Sequence, residues 1–252
     1  MHSNGERARW ERLAKQPYYA VLNEPGNREL TTTGDRGEFF ASGEREIAGV
    51  VAMIRQLIDP TFRPHRGLDY GCGVGRLVLP LARYCETVAG IDISSAMLEE
   101  ARRNCVERGI ANAEFELADE YLSPNRAGER NLDFIHSCIV FQHIPPVVGE
   151  RIFRQLVARL RPQGVGAMQF TYARRASRLR RCINYLQRRV APVNVLANAV
   201  RRRPLLEPAI PMFSYDLGTL ITFLGEQGCS IVHAIPTTHG EYHGATLLFR
   251  LP

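Results

Sequence analysis

The chain has 252 residues, 45% of them hydrophobic, and a formal net charge of +6. Such a length and apolar content suffice for one sizeable core, while no apolar run approaches the roughly 18 residues that a bilayer span requires. The polar start Met1–Trp10 lacks the apolar centre of a signal peptide, and six cysteines without a C-x-x-C pair read as reduced thiols without zinc, so a cytoplasmic location is expected.

Taken in chain order, residues 1–62 give helical fragments with turns at Glu24-Pro25-Gly26 and Thr33-Gly34-Asp35. Ile47, Val50, Val51, Ile54, Leu57 and Ile58 recur at helical spacing and predict a helix from Gly43 to Ile58. From Arg66 the rhythm changes. Leu68–Tyr70 reads as a short buried strand, Val74–Tyr84 as a helix and Thr87–Ile91 as a second strand. Ser94 or Ser95 can cap a helix that runs to about Arg108 and stops at Gly109. Strands at Ala113–Leu117 and Leu132–Val140, a helix at Val147–Leu160, the turn Arg161-Pro162-Gln163-Gly164 and a strand at Val165–Thr171 follow. After a basic segment, Ser214-Tyr215-Asp216 can cap a helix to Gly228, and strands Ser230–Ile235 and Ala245–Leu251 close the chain. Regular alternation argues for a parallel sheet covered by helices on both faces. The last two strands have no helix between them and should pair antiparallel.

One stretch carries chemistry directly: Gly67-Leu68-Asp69-Tyr70-Gly71-Cys72-Gly73-Val74-Gly75-Arg76-Leu77. Alternate glycines after a strand let bare backbone approach a ligand. A dinucleotide fingerprint would need a third glycine where Arg76 stands, so pyrophosphate is not the expected ligand. A nicotinamide-dependent oxidoreductase is therefore the weaker catalytic reading.

Four ordered motifs make the chain resemble the class I S-adenosylmethionine-dependent methyltransferases over roughly Glu44–Pro252. They are the glycine loop, Gly90-Ile91-Asp92-Ile93-Ser94, Ala118-Asp119-Glu120, and Leu132–Pro145, which resembles the fourth strand and the loop that faces the transferred methyl. The resemblance implies a seven-stranded α/β sheet, mostly parallel and ending in an antiparallel hairpin, with S-adenosylmethionine as cofactor. It implies that Asp69, Tyr70, Gly71, Cys72, Gly73 and Gly75 hold the methionine end, with Asp69 orienting the amino group through water. Asp92 and Ile93 would meet the ribose, since an ionised carboxylate can accept both hydroxyls. Met97 would cover an adenine face, Asp119 and Glu120 the adenine edge, and Ser137 would border the transferred methyl. An N-terminal helical cover over residues 1–43, including Trp10, Tyr18 and Tyr19, would precede the methyltransferase domain at 44–252. The addition at 172–211 would form a basic helical lid.

Alignment of the nucleophile and exclusion of water are the main demands of such chemistry. Where the acceptor is a hydroxyl, a histidine suits the role of base, and His143 leads because it follows the fourth strand. His136, inside that strand, reads as a core histidine. The segment Thr237–Gly244 reads as a polar loop that returns to the same rim, placing His239 and His243 near the acceptor without metal-ligand spacing.

Between Tyr172 and Pro204 stand ten arginines and no acid, which leaves the rest of the chain at −4. Apolar positions at steps of three and four predict an amphipathic helix over Arg174–Val190, and a shorter one over Val193–Val200. Its arginines suit an anionic acceptor, an anionic membrane surface, a dimer face or plain solvation. The absence of interleaved stacking aromatics or an Asn-Pro-Pro-Tyr-type turn makes nucleic acid the less expected acceptor. The expectation is methyl transfer to an oxygen or nitrogen of a small molecule, by a monomer or homodimer. RNA or protein acceptors and a non-catalytic cofactor-binding partner stand as alternatives.

Overall fold

Alternating strand and helix signals are realised as one sheet in the computed structural model, which describes residues 4–22, 27, 30, 36–126, 131–175 and 210–252. Helices α1 (Asn4–Leu13) and α2 (Pro17–Val21) precede the long α3 (Gly37–Leu57). Then come β1 (Arg66–Tyr70), α4 (Val78–Leu81), β2 (Thr87–Asp92), α5 (Ser95–Glu107), β3 (Ala113–Leu117) and α6 (Ala118–Tyr121). The remainder is β4 (Leu132–Ser137), α7 (Pro146–Val157), β5 (Leu160–Arg174), α8 (Leu217–Glu226), β6 (Ile231–His239) and β7 (Tyr242–Arg250). The seven strands lie in the order β3-β2-β1-β4-β5-β7-β6, and β7 alone runs opposite to the other six.

The strands are apolar on both faces because both faces are covered. On one side Ile135, Met168, Phe170, Leu247 and Phe249 pack with Ile152, Phe153 and Leu156 of α7 and Leu220, Phe223 and Leu224 of α8. On the other, Phe134, Val165, Ala167 and Leu248 pack with Ile47, Val50, Val51 and Ile54 of α3 and Val78 and Leu81 of α4. Alternate residues of β4, such as Phe134 and Ile135, thus serve opposite layers. No described helix is long and apolar enough to cross a membrane.

Several boundaries move for identifiable reasons. The helix expected from Gly43 begins at Gly37, with Phe39 and Phe40 buried on its added turn. The helix expected over Val74–Tyr84 contracts to Val78–Leu81, because the glycine loop holds the chain in turns as far as Leu77. Strand β4 ends at Ser137 rather than Val140, where Ile139 adopts φ of 62°. Arg161–Gly164 is extended within β5 instead of a free turn, with Gln163 at φ of 65° and a register shift against β4. The polar loop expected at Thr237–Gly244 is mostly strand: β6 and β7 pair through Thr238–His243 and His239–Tyr242, leaving a turn at Gly240 and Glu241. Ser94 is the actual cap of α5, its Oγ accepting from Met97 N at 3.3 Å, and Asp216 caps α8. The expected turns at residues 24–26 and 33–35, and the basic helices beyond Arg175, lie outside the described residues.

Candidate functional site

The carboxyl ends of β1, β2 and β4 converge on one cleft, where open parallel sheets place their ligands. The chain leaves β1 through Gly71 at φ of 77° and Gly73 at φ of 52°, a region that side-chain-bearing residues avoid. A Cβ on Gly71 would stand 2.3 Å from Val140 Cγ2, and one on Gly73 2.6 Å from Val21 Cγ2. Backbone N–H groups of Gly71 and Cys72 donate to the Ile91 carbonyl at 2.7 and 3.0 Å, which fixes the loop against the end of β2.

Asp92 closes β2 and ties the two motifs together. Its Oδ2 accepts from Gly73 N and its Oδ1 from Ser94 N, both at 2.9 Å. Burial pushes the carboxyl up to about 6, while bonds from Ser94, Gly73 and Ile93 pull the other way. A carboxylate has about four acceptor sites, so these backbone donors still leave capacity for a ligand hydroxyl on the cleft side, where Asp92 lines the wall. Met97, 1% exposed, lines the adjoining wall.

Asp69 and His136 are partners across β1 and β4, with Asp69 Oδ1 at 2.8 Å from His136 Nδ1 and both side chains 2% exposed. The histidine is thus a satisfied strand residue that fixes the rotamer of a cleft carboxylate. Beyond β4, Ile139 lines the cleft in a left-handed conformation that costs a β-branched residue roughly 1–2 kcal/mol. Gln169 of β5 holds it there: its Oε1 accepts from Ile139 N at 2.7 Å and lies 3.5 Å from Cys138 Sγ, and its Nε2 donates to Thr237 Oγ1 at 2.9 Å.

The N-terminal helices contribute to the lining of the cleft. Glu6 and Trp10 of α1, with Ala20 and Val21 of α2, line it opposite the glycine loop. Arg7 donates to Asp119 Oδ2 at 2.6 Å, and Glu11 Oε1 accepts from Ser95 N at 2.7 Å. A buried network anchors α2: the Tyr18 hydroxyl lies 2.5 Å from Glu100 Oε1 and 3.1 Å from Asn104 Oδ1, and Arg36 donates to both Tyr18 and Asn104. Asn104 in turn donates to the Val74 carbonyl at 2.9 Å, so the cover and the glycine loop share one scaffold.

His143 faces Trp10 edge-on with ring centroids 5.5 Å apart. Its Nδ1 donates to the Pro211 carbonyl at 3.1 Å, which leaves Nε2 as acceptor for the Gln142 side-chain amide at 3.2 Å. Burial, the largest influence, lowers its pKa to about 4. The imidazole is neutral at physiological pH and a weak proton acceptor.

Of the residues expected from sequence, Asp69, Tyr70, Gly71, Cys72, Gly73, Asp92, Ile93, Met97 and His143 share the cleft wall. Gly75, Asp119, Glu120 and Ser137 lie behind or beside that wall, Ser137 Oγ donating to the Tyr70 carbonyl at 2.8 Å. His243 and the His239 backbone belong to the β6–β7 ribbon and not to the wall. Glu6, Arg76, Ile139 and the supporting Gln169 were not expected. Of these only Arg76 had a local signal, as the residue standing in place of a third glycine.

Comparison with known proteins agrees with this geometry. Residues 68–164 match the family model described as a methyltransferase domain. The chain is 39% identical over 70 residues to the 23S rRNA (uracil(1939)-C(5))-methyltransferase RlmD of Stenotrophomonas maltophilia, a stretch covering 28% of this chain and 16% of that protein. The RlmD of Marinomonas posidonica is 32% identical over 122 residues, 48% of this chain and 26% of the relative. The chain therefore spans only a minor part of the length of these curated relatives. Among solved structures, magnesium protoporphyrin IX methyltransferase from Synechocystis PCC 6803, determined with bound S-adenosylmethionine, superposes with a TM-score of 0.60 at 18% identity and 100% coverage of both chains. An S-adenosylmethionine-dependent methyltransferase from Anabaena variabilis gives 0.58 at 16% identity, covering 100% of this chain and 96% of that one. The fold is that of the class I methyltransferases. Within that fold, residues 68–164 are the part that matches the methyltransferase domain model.

Proposed function

We propose that the chain transfers a methyl group from S-adenosylmethionine to an oxygen or nitrogen of a small molecule. The observation that carries this reading is the N-terminal lining of the cleft. Glu6 and Trp10 of α1 line it together with the glycine loop and His143, a narrowing that favours a small acceptor over a polymer. Asp92 takes a ribose hydroxyl on its remaining acceptor capacity, the Gly71–Gly73 backbone lies against the methionine and ribose portions, and Met97 covers the adenine. Asp119 and Glu120 serve the adenine edge only from the rim, Asp119 through its contact with Arg7.

When bound, the cofactor supplies a methyl group already activated by its sulfonium, so the chain's residues need mainly to orient the acceptor and exclude water. The acceptor's lone pair forms the new bond to carbon as the carbon–sulfur bond breaks, and its proton leaves to solvent. We assign His143 to acceptor positioning, because a group with a pKa of about 4 accepts protons poorly near neutrality. His239 and His243 are left to the outer end of the acceptor path.

Similarity to the RlmD proteins supports a second reading, an RNA acceptor met by the arginine-rich 172–204 segment. A screen of anionic metabolites, neutral metabolites and RNA, read as S-adenosylhomocysteine release, separates the two. Turnover with a small molecule is expected; methylation confined to RNA would replace the first reading by the second.

A further inference from the structure

Arg76 occupies the position of the missing third glycine, and no role described so far uses its charge. Its side chain is 6% exposed and lines the cleft together with Asp69 and Cys138. Its Nη1 donates to Ser42 Oγ at 3.2 Å, its Nε has no hydrogen-bond partner, and it forms no ion pair among the described residues. A guanidinium withdrawn from water without a counter-charge is costly, which makes such a cation informative. Arg36, buried to a similar degree, pairs with Glu107 at 2.5 Å, and Arg159 donates to the Tyr121 carbonyl and stacks over that ring. Arg76 has the cleft instead. Its backbone is held against α3, where a Cβ on Gly43 would stand 2.2 Å from the Arg76 carbonyl oxygen, so its place beside the cleft is fixed.

On the same wall, His136 holds Oδ1 of Asp69, a residue that also lines the cleft. A carboxylate and a guanidinium without an ion-pair partner, lining one cleft, complement a zwitterion, a carbon bearing both an ammonium and a carboxylate. We infer that Arg76 binds the α-carboxylate of the cofactor's methionine end, opposite the ammonium group that Asp69 orients. This rests on the cofactor reading above and adds the residue that distinguishes an amino-acid-bearing nucleoside from one without a carboxylate.

Calorimetry with two ligands tests it: S-adenosylhomocysteine, and S-adenosyl-3-thiopropylamine, which keeps the ammonium and lacks the carboxylate. Wild-type protein should prefer S-adenosylhomocysteine by about 10- to 100-fold, the range of a charge-assisted hydrogen bond. Arg76→Gln should lose that preference by weakening S-adenosylhomocysteine alone, and Arg76→Lys should keep part of it. Equal wild-type affinity for the two ligands would overturn the inference without any variant, as would an equal loss for both ligands in a folded Arg76→Gln protein. An unchanged preference in Arg76→Gln would also overturn it, and would assign the guanidinium to an anionic acceptor. Binding of neither ligand by the wild type would overturn the cofactor reading as well.

Discussion

At the scale of single residues, Asp92 links the glycine loop, the end of β2 and the start of α5 through one side chain. Its carboxyl must be ionised to accept a ligand hydroxyl beside its backbone donors, and burial has raised it to about 6. Cofactor affinity should therefore hold above pH 7 and decline as the pH falls below about 6. Asp92→Asn should bind more weakly at pH 7.5 and lack that decline, so that the gap narrows at pH 5.0, and titration calorimetry at the two pH values checks both. His143 makes the opposite kind of statement. Its folded pKa of about 4 lies below the unfolded value of about 6.5, so the unfolded chain binds more protons between them. Stability should fall as the pH drops through that window, and His143→Gln should flatten the fall in melting temperature between pH 7 and 4.5. Gln169 supports a strained Ile139, and Gln169→Leu should cost about 1–3 kcal/mol in urea unfolding and raise the acceptor KM, because it strands a backbone N–H beside the cleft. Gly71, Gly73 and Asp92 were legible in the sequence because strand-end turns are local. The Asp69–His136 and Gln169–Ile139 pairs were not, since they depend on register between strands far apart in the chain.

Elements position these residues, and the N-terminal cover is the one whose placement local patterning says least about. Helix α1 is too polar to fold by itself, and its attachment comes from contacts more than 80 residues away, Arg7 with Asp119 and Glu11 with Ser95. The Arg7–Asp119 pair is 38% and 31% exposed and contributes little alone. The buried Tyr18 network is the stronger anchor. Tyr18→Phe should destabilise by about 1–3 kcal/mol and accelerate amide exchange in α1 and α2 more than in β1 or β4. Uniform acceleration across the sheet would contradict the anchoring role. At the other end, the Thr237–Gly244 segment has the composition of a loop yet pairs as strand. β5 extends to Arg174 and offers β7 a partner, with Arg174 bonded to Glu241 and lying over the Tyr242 ring. Tertiary pairing outweighs local composition there.

For the molecule as a whole, strand–helix alternation carried the sheet into view before any coordinates, because two covered faces require apolar strands of regular length. The location of the cleft followed from the same order, since β1 sits between β2 and β4 and their carboxyl ends open together. The N-terminal cover was implied only by the family resemblance, and the zwitterion-binding wall and the support beneath Ile139 did not follow at all, because each is assembled from three or more elements. The central claim is that this cleft binds S-adenosylmethionine through the ends of β1 and β2. Calorimetric titration of S-adenosylhomocysteine into wild-type and Asp92→Ala protein tests it most directly. Stoichiometric binding by the wild type, and a loss of about tenfold or more in a variant with an unchanged unfolding transition, is the expected result; equal affinity in the two proteins would contradict it.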